Sequence, residues 1–250
     1  MEMNQETLER MRQMRLLGMY NAFKTSLEAF RTDSMTTDQF ISWLVCNEWD
    51  DRRNRLIERL TRQASFRYKS SVEEINFNVE RGLDRNQFQR LAELTFVREH
   101  KDLFITGSTG TGKSYLATSL GYEACQKGMK VLYASTNRLM GQLKIAKAKG
   151  NILQELKKIE RMDLLILDDF GMQPFDAQSR MNLMDVIEDR YGKKSTIITS
   201  QIPVKDWYDV IGDKTIADAI MDRVVHQAIR IELFGESLRK GIKSFYYLRK

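Results

Sequence analysis

The string FITGSTGTGKSYLA, Phe104 to Ala117, constrains this chain more than any other stretch. It runs from an apolar segment through three glycines to a lysine and a hydroxyl, and then into a helical pattern. Gly107 to Ser114 satisfies G-x-x-x-x-G-K-[ST], a loop whose backbone amides surround phosphate oxygens. Gly107, Gly110 and Gly112 open torsions closed to other residues and bring the amides within reach of phosphate. The helix beginning near Lys113 adds the positive end of its dipole. Lys113 brings a full charge to the β and γ phosphates, and Ser114 offers its hydroxyl to Mg²⁺. The candidate phosphate-binding set is therefore Gly107, Ser108, Thr109, Gly110, Thr111, Gly112, Lys113, Ser114 and Tyr115. By average residue usage the pattern arises by chance in about one chain of this length in a hundred. Here it also falls between a strand and a helix, as the motif requires.

Around this loop the chain shows two regimes. Residues 1–68 are expected to form a small all-helical domain: Leu16, Met19, Tyr20, Phe23, Leu27 and Phe30 recur at helical spacing. Thr36 followed by Gln39 has capping-box spacing for the next helix. Residues 69–250 are expected to form the nucleotide-binding domain, with 69–100 as a linker and flanking segment. Within it DLFIT, KVLYAS, DLLILDD, STIITS and AIRIEL are five strand candidates, most of them near-continuous apolar runs. Such runs fit an α/β fold with a five-stranded parallel sheet sandwiched by helices. Helices are expected near 113–127, 136–160 and 177–191. At 250 residues the chain can bury one sizeable α/β core plus a smaller attachment. The two cysteines, Cys46 and Cys125, have neither metal nor disulfide spacing, which favours a reducing cytoplasm. No apolar run reaches the roughly 18 residues of a membrane span, and the N-terminus lacks the order of a signal peptide. A net charge of +6 permits a polyanionic partner.

LLILDD ends an apolar strand in two carboxylates. Asp168 is expected to hold Mg²⁺ through water, and Asp169 is placed to polarise an attacking water, a helix cap or loop acid being the alternative use of Asp169. No N-K-x-D string for reading guanine is present. Metabolic kinases place lid and substrate-binding residues between the first strands, whereas this chain runs to a third strand, STIITSQ, beside the acids.

FITGSTGTGKSYLA, DLLILDDFG, STIITSQIPVKDWYDVIGDKTIADAIMDR and RIELFGESLRK together resemble the AAA+ ATPases, and within them the DnaC/IstB group. MRLLGMYNAF and NEWDDRRNRLIERLTRQASF are similar to the IstB-type helpers of insertion-sequence transposition. The resemblance implies an ATPase using ATP and Mg²⁺ that self-assembles on DNA and recruits a transposase. ATP sites would lie at subunit interfaces of a homo-oligomer. A DnaC-like helicase loader is the alternative, and a small-molecule kinase a third. By position, Gln201, or Thr199 and Ser200 beside it, would touch the γ-phosphate or the attacking water. Arg223 would be an arginine finger for the adjacent subunit's site, an ion pair with Asp222 or Asp218 being its other use. Arg239 would be a second nucleotide sensor or part of a solvated basic tail. The pair Asp168–Asp169 departs from the Asp-Glu of many relatives, and the helical lid is expected to be missing or vestigial.

Two basic stretches are candidates for DNA. Arg52, Arg55, Arg59 and Arg62 form a stripe along one helical face, with Leu56 and Leu60 expected to turn elsewhere; a solvated face is the alternative. Lys144, Lys147 and Lys149 lie in a long segment between the second and third strands. Initiator-type AAA+ proteins, by resemblance, insert an extra helix there that faces the assembly axis. Both stretches point to sequence-independent binding of phosphate backbone.

Overall fold

The computed structural model describes residues 2–29, 35–226 and 228–238. The chain divides into two compact units, Met1–Arg59 and Leu60–Lys250.

In the first unit lie α1 (Glu2–Gln13), α2 (Leu17–Glu28) and the greater part of α3 (Thr37–Ala64). The capping box forms as its spacing requires. Thr36 N donates to Gln39 Oε1 at 3.0 Å, and Gln39 N donates to Thr36 Oγ1 at 3.3 Å. The expected apolar face of α2 is only half-buried, and its buried seam is the small-residue row Gly18, Ala22 and Ser26. The reason is close approach: a Cβ on Gly18 would stand 2.4 Å from Asn47 O, so α2 can meet α3 only where a side chain is missing. Phe30, from the same expected face, lies outside the described residues. Glu48, buried on α3, accepts from Gly18 N at 2.8 Å and Met19 N at 3.2 Å, supplying the cap that Leu16 cannot.

In the second unit α4 (Arg85–Ala92) and α5 (Thr95–Arg98) precede the sheet. There follow β1 (Leu103–Gly107), α6 (Lys113–Gln126), β2 (Val131–Ser135), α7 (Thr136–Ala148), α8 (Ile152–Glu160), β3 (Leu164–Phe170), α9 (Ala177–Arg190), β4 (Ser195–Ser200), α10 (Trp207–Ile211), α11 (Lys214–Val225) and β5 (Ile229–Leu233). All five expected strands form, and they pair in parallel in the order β2-β3-β4-β1-β5. The expected helix over 136–160 is two helices, broken at Gly150, whose φ of 74° no β-branched residue adopts cheaply.

Alternation along the strands sorts the core onto two faces. Leu103, Ile105, Ile166, Ile197 and Ile231 pack with Leu116 and Leu120 of α6, Phe88 of α4, and Leu60 and Ala64 of α3. Phe104, Leu165, Leu167 and Ile198 face α7, α9, α10 and α11. There Trp207 is fully buried, its ring 4.9 Å from Phe104 and 4.6 Å from Phe170, with its Nε1 donating to Ile202 O at 3.0 Å. Helices on both faces of a parallel sheet leave the C-terminal strand ends as the open, ligand-accessible edge. β1, β3 and β4 deliver the phosphate loop, the acid pair and Gln201 to that edge.

Candidate functional site

The loop after β1 is held from beneath by residues outside the motif. Arg81, 5% exposed, donates through Nη1 to Thr111 O at 2.9 Å and through Nη2 to Asn76 O at 3.2 Å. Burial pulls its guanidinium below the ordinary arginine value. Two glycines make this packing possible. A Cβ on Gly107 would lie 2.0 Å from Leu233 O, and one on Gly112 would lie 2.5 Å from Arg81 Nη1. Both have positive φ, 143° and 97°. From the end of β5, Leu238 N donates to Gly110 O at 3.0 Å and Ser108 Oγ donates to Gly235 O at 3.4 Å. Residues 235–238 thus reach the loop one position short of Arg239, which lies outside the described residues, as do residues 240–250, where a lid was expected to be missing or vestigial.

Gly112 caps α6 in the left-handed conformation, and Lys113 opens the helix. Its Nζ donates to Gly107 O and Ser108 O, each at 2.7 Å, so the ammonium lies within the cradle rather than in solvent. Tyr115 points elsewhere: its hydroxyl donates to Glu74 Oε2 at 2.8 Å, and burial with that carboxylate pushes the phenol up to about 12.

Across the cradle stands Asp168, fully buried at the end of β3. Ser114 Oγ donates to its Oδ1 at 2.8 Å, Thr199 Oγ1 donates to the same oxygen, and the Tyr133 hydroxyl donates to Oδ2. Burial and then Asp168 push the Tyr133 phenol far above its ordinary value. The Ser114 hydroxyl and the Asp168 carboxylate are hard oxygen donors brought together from two elements, the chemistry that Mg²⁺ takes alongside phosphate oxygens. Among the described residues no group of three His, Cys, Asp or Glu could cage a metal alone.

Asp169 faces differently. The β3–β4 register slips between Leu167 and Phe170, and Asp169 takes a φ of 57° at that irregularity. Such a bulge re-aims the side chain it carries. Asp169 N donates to Thr199 Oγ1 at 3.2 Å, and its Oδ2 lies 3.5 Å from Arg67 Nη1. Asp169 is therefore no helix cap. Gln201 reaches the loop directly, Thr109 Oγ1 donating to Gln201 Oε1 at 2.6 Å.

Arg223, at the end of α11, lies 2.5 Å from Glu188 Oε2 of α9 through Nε and donates to Ala219 O at 2.8 Å. The alternative pairing with Asp222 or Asp218 does not occur: Asp222 meets His226 at 3.1 Å, and Asp218 accepts from Tyr208. Of the lysines, Lys144 pairs with Asp176 and Lys147 donates to Gln178 at 2.8 Å, while Lys149 lines a cavity beside β2. In the first unit Arg52 and Arg55 pair with Glu48 and Asp51, at 2.6 and 2.7 Å, and Arg15 joins Arg52, Arg55 and Arg59 around a cavity of about 410 Å³. Leu56 lines that same cavity instead of turning away, because helix steps of four and three keep it beside Arg52 and Arg59; Leu60 is buried in the second unit's core.

Sequence reasoning missed Arg81, Arg67 and Tyr133. Only Tyr133 left a trace, since alternation in KVLYAS points it to the face shared by Val131. The two arginines sit in irregular chain with no periodic signal.

Residues 9–245 match the family described as IstB-like ATP binding protein. A Sinorhizobium fredii protein named as an insertion sequence ATP-binding protein, y4pL, is 40% identical over 94% of this chain and 96% of its own. The insertion sequence IS21 ATP-binding protein of Pseudomonas aeruginosa is 30% identical over 85% of this chain and 80% of its own. Among solved structures, DnaI superposes with a TM-score of 0.56 at 23% identity, covering 70% of this chain and 93% of that one. AMPPCP-bound DnaA from Aquifex aeolicus gives 0.57 at 22% identity, covering 74% and 56%. These two likenesses are of fold, the P-loop AAA+ arrangement.

Proposed function

The chain belongs to the family of IstB-like ATP binding proteins, and from that premise we propose that it is a Mg-ATP-dependent ATPase that assembles on DNA and recruits and stimulates a transposase. The observation that carries the catalytic part is the 2.8 Å contact between Ser114 and Asp168, which joins the phosphate loop to the acid strand. The insertion-sequence names of the relatives support the cellular role.

In this reading the loop amides and Lys113 hold the β and γ phosphates. Ser114 and Asp168 would hold Mg²⁺, which when bound neutralises phosphate charge. Thr199 and Tyr133 keep Asp168 oriented by donating to it. Asp169 accepts the proton of the attacking water, and Gln201 orients that water or the γ-phosphate from beside Thr109. Arg223 leaves Glu188 to enter the neighbouring subunit's site, so that assembly completes each site, and Arg239 adds a cation to the nucleotide. The helical unit up to Arg59 acts as the interaction domain, and the unit from Leu60 onward, which takes in residues 60–68 expected with the former, acts as the ATPase domain. Lys144, Lys147 and Lys149, the first two leaving Asp176 and Gln178, and Arg52, Arg55, Arg59 and Arg62 of α3 meet DNA phosphates without reading bases. The protein works in the cytoplasm; among the described residues no helix is long and apolar enough to cross a membrane.

The test is capture by the immobilised chain, with ATP and DNA present, of an insertion-sequence transposase or of a replicative helicase. Transposase retention is expected, lost in Lys113→Ala. Helicase retention without transposase would replace this reading with a loader.

A further inference from the structure

We propose that the basic groove beside β2 takes the phosphate backbone of a nucleic-acid strand, and that Arg67 couples its occupancy to Asp169. Among the described residues β2 is the outermost strand on its side of the sheet, hydrogen-bonded to β3 alone. Every residue of β2 lines a cavity of about 1100 Å³, so the strand borders it by its edge, with α7, α8 and the chain following α3 as the other walls. Among the described residues, Lys130, Arg138, Lys149, Lys158 and Arg67 line it against one carboxylate, Glu155, which pairs with Lys158 at 2.6 Å. A five-to-one excess of cations around a groove rather than on a convex face matches a polyphosphate chain. Lys144 and Lys147 are engaged with α9 side chains and do not line the groove.

Arg67 stands at both sites. Its guanidinium is 3.5 Å from Asp169 Oδ2, yet its side chain is 55% exposed. An ion pair this open is weak and exchanges partners readily. A phosphodiester offers the guanidinium a two-pronged acceptor, the geometry arginine prefers. Drawing Arg67 into the groove releases Asp169 from this pair, on the reading above that Asp169 acts on the attacking water. Without nucleic acid, Arg67 restrains hydrolysis; with it, the restraint is lifted. Arg67 is thus a positioning residue that acts through Asp169.

The experiment measures ATP hydrolysis and binding of labelled oligonucleotides, single-stranded and duplex, by the full-length wild type, Arg67→Gln, Arg67→Lys and the double variant Arg138→Glu/Lys158→Glu. Arg67→Gln is expected to raise the rate without DNA several-fold and to blunt further stimulation, and Arg67→Lys to behave nearly as wild type. The double variant should keep the unstimulated rate, bind oligonucleotide about tenfold more weakly at fixed salt, and lose stimulation. Whichever oligonucleotide the double variant fails to hold identifies the strand form the groove takes. Wild-type rates and stimulation in Arg67→Gln would overturn the coupling, and undiminished binding of both forms by the double variant would overturn the groove. A wild type that hydrolyses no ATP but binds oligonucleotide through Arg138 and Lys158 would defeat the ATPase reading and the coupling, leaving the groove standing.

Discussion

Arg81 donates to the carbonyl of Thr111 across 2.9 Å while its Nη1 occupies the space that a side chain at position 112 would fill. The shape of the phosphate loop therefore depends on a residue thirty positions upstream, in a segment with no regular structure. Arg81→Ala is expected to leave a buried carbonyl without its donor, costing about 1–3 kcal/mol, and to weaken nucleotide binding as the loop relaxes. Arg81→Lys should recover little, since one ammonium cannot serve Thr111 O and Asn76 O in the planar fork geometry. Thermal melts and nucleotide titrations of both variants check this, and a fully competent lysine variant would contradict it.

Asp168 accepts from three hydroxyls, and an asparagine there turns one acceptor into a donor facing hydroxyls that can rotate but not all comply. Asp168→Asn should reduce hydrolysis by at least about a hundredfold while binding of a fluorescent ATP analogue in EDTA stays within a few-fold of wild type. Adding Mg²⁺ should tighten binding in the wild type and not in the variant. Equal tightening in both would remove Asp168 from the proposed metal set.

The pairing of Arg223 with Glu188 leaves the guanidinium close to the surface, its side chain 24% exposed. If it completes a neighbour's site, Arg223→Ala and Lys113→Ala should each be inactive alone and partly active when mixed. In a random one-to-one mixture roughly a quarter of head-to-tail interfaces combine an intact loop with an intact arginine. Steady-state phosphate release against mixing ratio reads this out; a mixture as inactive as its components would exclude the shared site.

Asp102 supplies a pH signature independent of nucleotide. It accepts from Thr196 N at 2.7 Å, and burial pushes its carboxyl from 3.8 up to about 7, opposed by that bond and by the Arg190 guanidinium. Arg190, lowered to about 10 by burial, stays charged below pH 8. Between about pH 4 and pH 7 the folded chain holds a proton the unfolded chain has lost. This contribution to stability is full below pH 4 and disappears as pH rises through 7. Asp102→Asn keeps an acceptor for Thr196 and cannot titrate. The stability of wild type relative to variant should fall by about 2–4 kcal/mol from pH 4 to pH 8, read by chemical denaturation, and a rise over that range would refute the assignment.

The strands, their parallel pairing and the phosphate loop were all readable beforehand, because each leaves a local mark. Short strands of five to seven residues centred on apolar side chains, a glycine spacing and the Thr36–Gln39 cap are properties of neighbouring positions, and burial on both sheet faces leaves β1, β3 and β4 little alternative. Chemistry written in adjacent residues survives translation into structure because the backbone torsions they permit are few.

The assignment of partners was not local and came only with the folded chain. Which carboxylate Arg67 meets, which carbonyl Arg81 serves, which acid holds Arg223, and that Lys144 spends its charge on Asp176 are decided where segments from different parts of the sequence converge. A charged side chain carries no address for its partner: its pairing depends on distance and desolvation, and both are set by packing. The backbone at Asp169 followed the same rule, since its φ of 57° sits where the register of β3 against β4 slips, a feature of strand pairing and not of the residue's identity.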